Sequence, residues 1–327
     1  MARTHTDTLS GLVWHYTDTD ALVSIITKHR LWASSAAFMN DANEMITHQQ
    51  ALKKTYERIK ADLPADQQEL LDRRYGPNAE LRNVQDLYLI AASEEGDHLT
   101  LWRNYSAKSG AFAIGLDASV RLKPVLLDPS DPNKEHPSPP KGYYEDAVDF
   151  TEEGDEFQMY DPDDPRTLGG RWRKVRYVAR EGVSSHEARV RKEGKFLAGR
   201  ARDPKKYQYH VDFTYLDPDN EPNREKDDAF KDEAEVRIIV SADPDWKFVK
   251  YRSGPFGLTP YVELATKAQD SWDESEPATE PGILPIREIR IGPAAVDPAR
   301  QERSLRALLD ANGYRGVIIR ISEIPFR

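Results

Sequence analysis

The feature that most constrains the fold is the irregular order of the strand-like segments. Apolar runs of strand length occur at residues 12–17, 87–93, 110–116, 233–240 and 284–292. Amphipathic helical patterns concentrate near the start and in the middle of the chain instead of following each strand. Regular βαβ alternation is missing, and no Gly-x-Gly-x-x-Gly follows a strand, which disfavours a doubly wound dinucleotide fold. The pattern predicts an α+β protein with a mixed, largely antiparallel sheet and flanking helices.

Length and local composition predict the domain organisation. A chain of 327 residues is long enough for one large domain or two small ones. Two stretches, near 128–166 and 270–283, are rich in acidic residues and Pro and resemble long surface excursions. We therefore predict a single domain over 1–327 that carries two acidic loop insertions.

Charge and residue usage exclude several classes of protein. The chain has 46 Lys and Arg against 56 Asp and Glu, which gives a net charge of −10. This charge disfavours a protein that binds nucleic acid nonspecifically along its length. It has no Cys and only scattered His, so no zinc cage or disulfide framework is expected. No apolar run approaches the roughly 20 residues that cross a bilayer. These features predict a cytoplasmic protein without a bound metal or a membrane partner.

The first candidate site residue is His15, at the end of the opening strand. A neutral imidazole at a strand end can present one ring nitrogen to a ligand while the backbone fixes the other. The alternative is a histidine that is simply hydrogen-bonded at a strand edge. Tyr16 points to the opposite face of the strand, so His15 and Tyr16 are not both expected in one pocket.

A second candidate is the aromatic pair in Trp102-Arg-Asn-Tyr105. In a helix, Trp102 and Tyr105 lie three residues apart and share a face. Such a pair belongs to a core, or it forms a flat surface on which a ring such as nicotinamide or adenine stacks.

The third candidate is the row of charged residues in the segment 233–240. On a strand, Glu233, Glu235 and Arg237 share one face. That face is either solvated or the wall of a pocket. Two carboxylates at this spacing can hold a ribose hydroxyl and stabilise positive charge that develops at the anomeric carbon.

An ordered set of motifs resembles a known bacterial family. The set comprises Leu12-Val-Trp-His-Tyr-Thr, Phe38-Met-Asn-Asp, Ala92-Ser-Glu-Glu-Gly-Asp, Leu101-Trp-x-x-Tyr, Glu233-x-Glu-x-Arg-Ile-Ile and Ile286-x-Glu-Ile-x-Ile-Gly-Pro. In this order they resemble the family called domain of unknown function 2971 over nearly the whole chain. That family prefers Asn-Asp-Pro-x-Glu after its opening helix, whereas Asn40-Asp-Ala-Asn-Glu44 lacks the Pro.

The layout of these motifs is also similar to ADP-ribosyltransferase-like folds, which cradle NAD in the cleft of a split sheet. By this resemblance, His15 would hold a ribose hydroxyl and Tyr105 or Trp102 would stack on nicotinamide. Glu235 would stabilise the oxocarbenium-like transition state, and Glu233 would orient or deprotonate the acceptor. The remaining residues expected to contact NAD are Tyr16, Ser93 and Arg237.

The resemblance implies an NAD-dependent ADP-ribosyltransferase or NAD glycohydrolase inside a bacterial cell, as a toxin or an anti-phage effector. NAD would be a substrate, the acceptor a protein or nucleic acid, and a regulatory protein a further partner. Two alternatives remain: a non-catalytic nucleotide-binding or protein-interaction module, and an RNA-processing enzyme that uses His15 and nearby Arg and Lys.

Overall fold

The computed structural model describes residues 9–39, 42–77, 87–105, 110–125, 171–178, 183–202, 225–241, 249–254, 257–266 and 282–325. The predicted loop near 128–166 lies outside these residues, as does the loop near 270–283 apart from its last two positions. The chain divides into two compact units, one with residues 1–35, 88–174 and 233–327 and one with residues 36–87 and 175–232. Units of this kind also occur within one domain, so the single domain stays a prediction.

The first unit holds most of the strands. Its strands are β1 (Leu12–Asp18), β2 (Leu31–Ser35), β3 (Leu87–Ser93), β4 (Ala111–Asp117), β5 (Lys123–Pro124), β6 (Arg173–Lys174), β9 (Glu235–Ser241), β10 (Lys250–Gly254), β11 (Gly257–Ala265), β12 (Ile286–Ile291) and β13 (Ile318–Ile321). Its helices are α1 (Thr19–Lys28), α4 (Leu99–Tyr105) and α6 (Pro298–Ala311).

These strands form one sheet in the order β10-β11-β2-β3-β1-β4-β12-β13. Off this path, β5 pairs with β11, and β9 pairs with both β3 and β6. The pairs β1–β3, β1–β4, β2–β3, β2–β11 and β10–β11 are antiparallel, whereas β12–β13 is parallel. The predicted α+β architecture with a mixed, mostly antiparallel sheet and several helices is confirmed.

The two faces of this sheet have different surroundings. One face, called here the α1 face, carries aliphatic residues that pack with α1 and α6 and include Val13, Ile114 and Val236. The opposite face, called the α4 face, carries Trp14 and Tyr16, which cluster with Trp102 of α4. Because side chains alternate along a strand, each strand residue of the first unit is assigned to one of these faces.

Helices α1 and α6 each begin after an aspartate that caps the helix. Asp18 accepts a hydrogen bond from the Ala21 amide at 2.8 Å, and Asp297 accepts one from the Arg300 amide at 2.9 Å. Each carboxylate satisfies an amide that the helix itself leaves without a partner. The buried face of α1 carries Leu22, Ile25 and Ile26, so α1 is an amphipathic helix that contributes one face to the core.

The second unit is mainly helical. It contains α2 (Ala42–Ile59), α3 (Ala65–Tyr75), α5 (Val183–Arg202) and the parallel pair β7 (Arg176–Val178) and β8 (Glu225–Asp227). Its core is a cluster of side chains from α2, α3 and α5 that includes Tyr56, Leu71 and Val190. None of the helices that the structure describes is both long and apolar enough to cross a bilayer.

Candidate functional site

His15 lies in the middle of β1 and is held by the neighbouring strand. Its Nδ1 contacts the Ala91 carbonyl oxygen at 2.9 Å, which fixes the ring and makes Nδ1 the protonated nitrogen. Burial lowers the pKa of His15 from its ordinary value, although the hydrogen bond to Ala91 partly opposes this effect. His15 is therefore a neutral imidazole whose second ring nitrogen, Nε2, is an acceptor.

The structure does not bring His15 together with the late carboxylates. His15 shares the α1 face with Val13, whereas Trp14 and Tyr16 lie on the α4 face. In β9, Val236 lies on the α1 face, so the alternation places Glu235 and Arg237 on the α4 face. His15 and Glu235 thus point to opposite sides of one sheet.

A junction between the end of β3 and the start of β9 brings two of the predicted site residues, Ser93 and Glu233, together. Ser93 Oγ donates to the Glu233 carbonyl at 2.7 Å, and the Glu94 amide donates to the Ala234 carbonyl at 2.9 Å. Ser93 Oγ also accepts a hydrogen bond from the Glu95 amide at 3.0 Å. Residues 93–95 and 233–234 therefore form one fixed structure, called here the β3–β9 junction.

The backbone at this junction departs from the predicted strand. Glu233 ends a 3-10 helix (Asp228–Glu233), and β9 begins only at Glu235. Between them, Ala234 has a φ of 44°, in the left-handed region that a residue with a Cβ rarely adopts. The prediction that Glu233, Glu235 and Arg237 form one row on a strand is wrong for Glu233. The strained turn at Ala234 separates Glu233 from the other two.

Glu235 and Arg237 form a buried ion pair on β9. Arg237 Nε lies 2.5 Å from Glu235 Oε1, and Arg237 Nη2 lies 3.0 Å from Oε2. Arg237 is 1% exposed and Glu235 is 5% exposed. Burial of an ion pair requires such two-point bonding, because each charge loses its hydration. Glu233 is half-buried and is thus the more accessible of the two carboxylates.

Tyr16 and Trp102 support the loop that follows the junction. Their rings pack edge to face with centroids 4.8 Å apart. Tyr16 donates to the Glu95 carbonyl at 2.8 Å and accepts from the His98 amide at 3.1 Å, and burial raises its pKa. Trp102 is fully buried, so its ring belongs to a core and does not form an open surface for stacking. Tyr105 ends α4, and its side chain lies outside the described part of the structure.

Asp97 is an organising residue that the sequence did not single out. It accepts hydrogen bonds from Trp102 Nε1 at 2.7 Å, Ser322 Oγ at 2.5 Å and the Glu323 amide at 3.2 Å. It joins the loop after the β3–β9 junction to the C-terminal segment. The only sequence signal was its place in the motif Ala92-Ser-Glu-Glu-Gly-Asp, and no spacing rule pairs it with Ser322.

The described residues contain no group of three or more His, Asp or Glu side chains that could hold a metal ion. Comparison with protein-family models, with curated proteins and with solved structures gave no match.

Proposed function

We propose that this protein is an NAD-consuming enzyme, an ADP-ribosyltransferase or NAD glycohydrolase with an ADP-ribosyltransferase-like fold. NAD is proposed as the substrate because the order of the sequence motifs is similar to that of ADP-ribosyltransferase-like folds. The observation that carries the proposal is the strained Ala234, held by hydrogen bonds from Ser93 and Glu94 between two carboxylates. Left-handed non-glycine residues cost free energy and concentrate at functional sites, where the surrounding structure holds them in place.

In this proposal Glu233 is the carboxylate that acts on the reacting groups. The glycosidic C–N bond of NAD breaks, nicotinamide leaves with the electron pair, and an acceptor oxygen forms the new bond to the ribose carbon. Glu233 takes the proton from that oxygen, which is water in hydrolysis or a macromolecular hydroxyl in transfer. The partial exposure of Glu233 supports this role better than the buried, Arg237-bound position of Glu235.

Glu235 and Arg237 then act as positioning residues. Their ion pair fixes the first residues of β9, directly after the turn that carries Glu233. His15 lies on the opposite face and takes no part in this version of the chemistry. The proposed biological setting is a toxin or anti-phage effector inside a bacterial cell, with a protein or nucleic acid acceptor and a regulatory protein partner.

Release of nicotinamide tests the proposal. Purified protein is incubated with NAD, with and without bacterial lysate, and free nicotinamide is quantified by chromatography. We expect release by the wild type and a loss of at least 100-fold in Glu233→Gln, a typical effect of removing a general base. Glu302→Gln is the matched control, because Glu302 is an exposed carboxylate on α6. Equal release by the two variants, or none by the wild type in either condition, would contradict the proposal.

A second candidate is a non-catalytic nucleotide-binding or interaction module. The observation that favours it is the buried Glu235–Arg237 pair, which neutralises the carboxylate expected to be catalytic. Under this candidate, NAD or ADP-ribose at 100 times its dissociation constant stabilises the fold by about 2.7 kcal/mol. Such a thermal shift without any nicotinamide release would favour the module over the enzyme.

A further inference from the structure

A cluster of basic side chains surrounds an aromatic pair at the β10 end of the sheet. The cluster comprises Lys28, Arg30, Lys250 and Arg252, and we call it the basic cluster. Trp32 and Tyr261 lie beside it with ring centroids 4.8 Å apart. In the register of β2 with β3, Ser34 pairs with Leu89, so Ser34 and Trp32 lie on the α4 face.

The basic cluster carries more positive charge than its acidic partner neutralises. Glu263 accepts hydrogen bonds from Arg30 Nη1 at 2.5 Å and from Lys250 Nζ at 2.9 Å. Burial would raise the pKa of Glu263, but these two cations outweigh it and hold the pKa below its ordinary value. Glu263 is therefore ionised and offsets one positive charge of the four. The excess stands out in a chain whose net charge is −10.

Several buried donors at this cluster have no partner among the described residues. Arg252 Nη2 donates to Ser34 Oγ at 2.9 Å, but Arg252 Nε is buried without a hydrogen bond. Arg30 Nε is also buried without a hydrogen bond. Thr259 pairs with Arg252 in the β10–β11 register, is 2% exposed, and also has an unpaired hydroxyl. Buried polar groups are nearly always paired in native proteins, so these three atoms, beside β2 and on β10 and β11, point to an acceptor that a ligand would supply.

The arrangement around Trp32 identifies the class of ligand. The Lys28 ammonium and the Arg252 guanidinium each lie 5.8 Å from the Trp32 ring centre, and Trp32 is half-buried. Arginine forks and lysine ammonium groups bind phosphate oxygens, and an indole ring stacks on nucleobases. A plain inorganic anion would use the cations but not the ring.

We propose that the basic cluster is a nucleotide-binding site. The phosphates contact Arg252, Arg30 and Lys28, and the base lies against Trp32. This inference stands on contacts around β2, β10 and β11 and does not depend on the proposed function at the β3–β9 junction.

Calorimetric titration with ADP, pyrophosphate and adenosine tests the proposal on the full chain. We expect wild type to bind ADP more tightly than either fragment, with an affinity that falls as salt rises. Arg252→Gln should weaken ADP binding about tenfold or more, the usual loss for a charge-assisted hydrogen bond. Lys28→Gln, at an exposed position, should weaken it several-fold without affecting folding. Trp32→Leu should weaken ADP binding while leaving pyrophosphate binding unchanged.

Arg303→Gln is the matched control, since Arg303 is an exposed cation on α6 and its loss changes net charge equally. The proposal is overturned if Lys28→Gln and Arg303→Gln bind ADP equally, if pyrophosphate binds as tightly as ADP, or if wild type binds no ADP. Glu233→Gln separates the two proposals. We expect this variant to keep ADP binding at the basic cluster, whether or not the wild type releases nicotinamide from NAD.

Discussion

Arg237 and Glu235 lie two residues apart on β9 and hold each other through two hydrogen bonds inside the protein. Both side chains lie on the α4 face, next to the strained Ala234. Replacing either residue removes this two-point ion pair from the buried charge of the other. A loss of activity in a variant of Glu235 or Arg237 is therefore interpretable only beside its free energy of unfolding.

Replacing one member of this pair should destabilise the protein strongly. We expect Arg237→Met to lower the free energy of unfolding by about 3 kcal/mol, since it leaves the Glu235 carboxylate buried without its fork of donors. The double change Glu235→Met with Arg237→Met should lose less than the single change. Urea denaturation of the three proteins measures both values. A double variant that is less stable than Arg237→Met would show that the pair itself is strongly stabilising.

Strain at Ala234 predicts that replacing this residue with glycine stabilises the protein. Glycine adopts a φ of 44° without a steric penalty, so Ala234→Gly should raise the free energy of unfolding by about 1 kcal/mol. Ala307 provides the matched control, as it is exposed in the middle of α6. There the same substitution should lower stability by about 1 kcal/mol, because glycine is unfavourable inside a helix. If both changes destabilise the protein equally, Ala234 is not strained.

Much of the fold was predictable from local patterns. The apolar runs at 12–17, 87–93 and 110–116 form β1, β3 and β4 with bounds that differ by at most one residue, and Trp102 and Tyr105 lie in one helix, α4. Residues 173–174 and 176–178 form the short strands β6 and β7, although they lie in no apolar run of strand length. Their conformation depends on pairing with distant segments, such as Arg173 with Arg237, which local charge patterning does not encode.

Pairing between distant segments also explains why the sequence did not predict parts of the candidate sites. Strand β10 was not predicted, because its residues alternate between half-buried and exposed and none is fully buried. The basic cluster therefore could not be assembled from the sequence, since Trp32 and Arg252 meet only through the β2–β11–β10 pairing. Ser93 and Glu233 are both candidate site residues in the sequence, but the hydrogen bond that joins them spans 140 residues of chain.

Gly96 gives a prediction for the loop after the β3–β9 junction. A Cβ at Gly96 would lie 2.3 Å from Trp14 Cε2, and the indole ring is buried. Gly96→Ala should therefore cost about 1–3 kcal/mol in unfolding free energy, the range for overpacked cores. Trp14→Leu removes the ring, so Gly96→Ala should cost less in that background. Chemical denaturation of the four proteins in this cycle measures the coupling. Equal costs in both backgrounds would show that Trp14 does not restrict Gly96.

His15 gives a prediction about pH. Its pKa is lowered in the folded protein because burial outweighs the hydrogen bond to Ala91, so the unfolded chain binds a proton more readily. The contribution of His15 to stability is complete above about pH 6.5 and decreases as the pH falls below that value. The loss is at most about 1.4 kcal/mol for each pH unit, the slope for one proton.

The variant His15→Gln tests this contribution, because glutamine can donate to the Ala91 carbonyl but does not titrate. Between pH 6.5 and 5 its unfolding free energy should fall less steeply than that of the wild type. His29 also has a lowered pKa, through burial and the neighbouring Arg30, so some pH dependence should persist in His15→Gln and diminish further when His29→Gln is added. Urea denaturation at half-unit pH steps gives these slopes. Parallel stability curves for wild type and His15→Gln would show that His15 binds its proton equally well in the folded and unfolded chains, contrary to its lowered pKa.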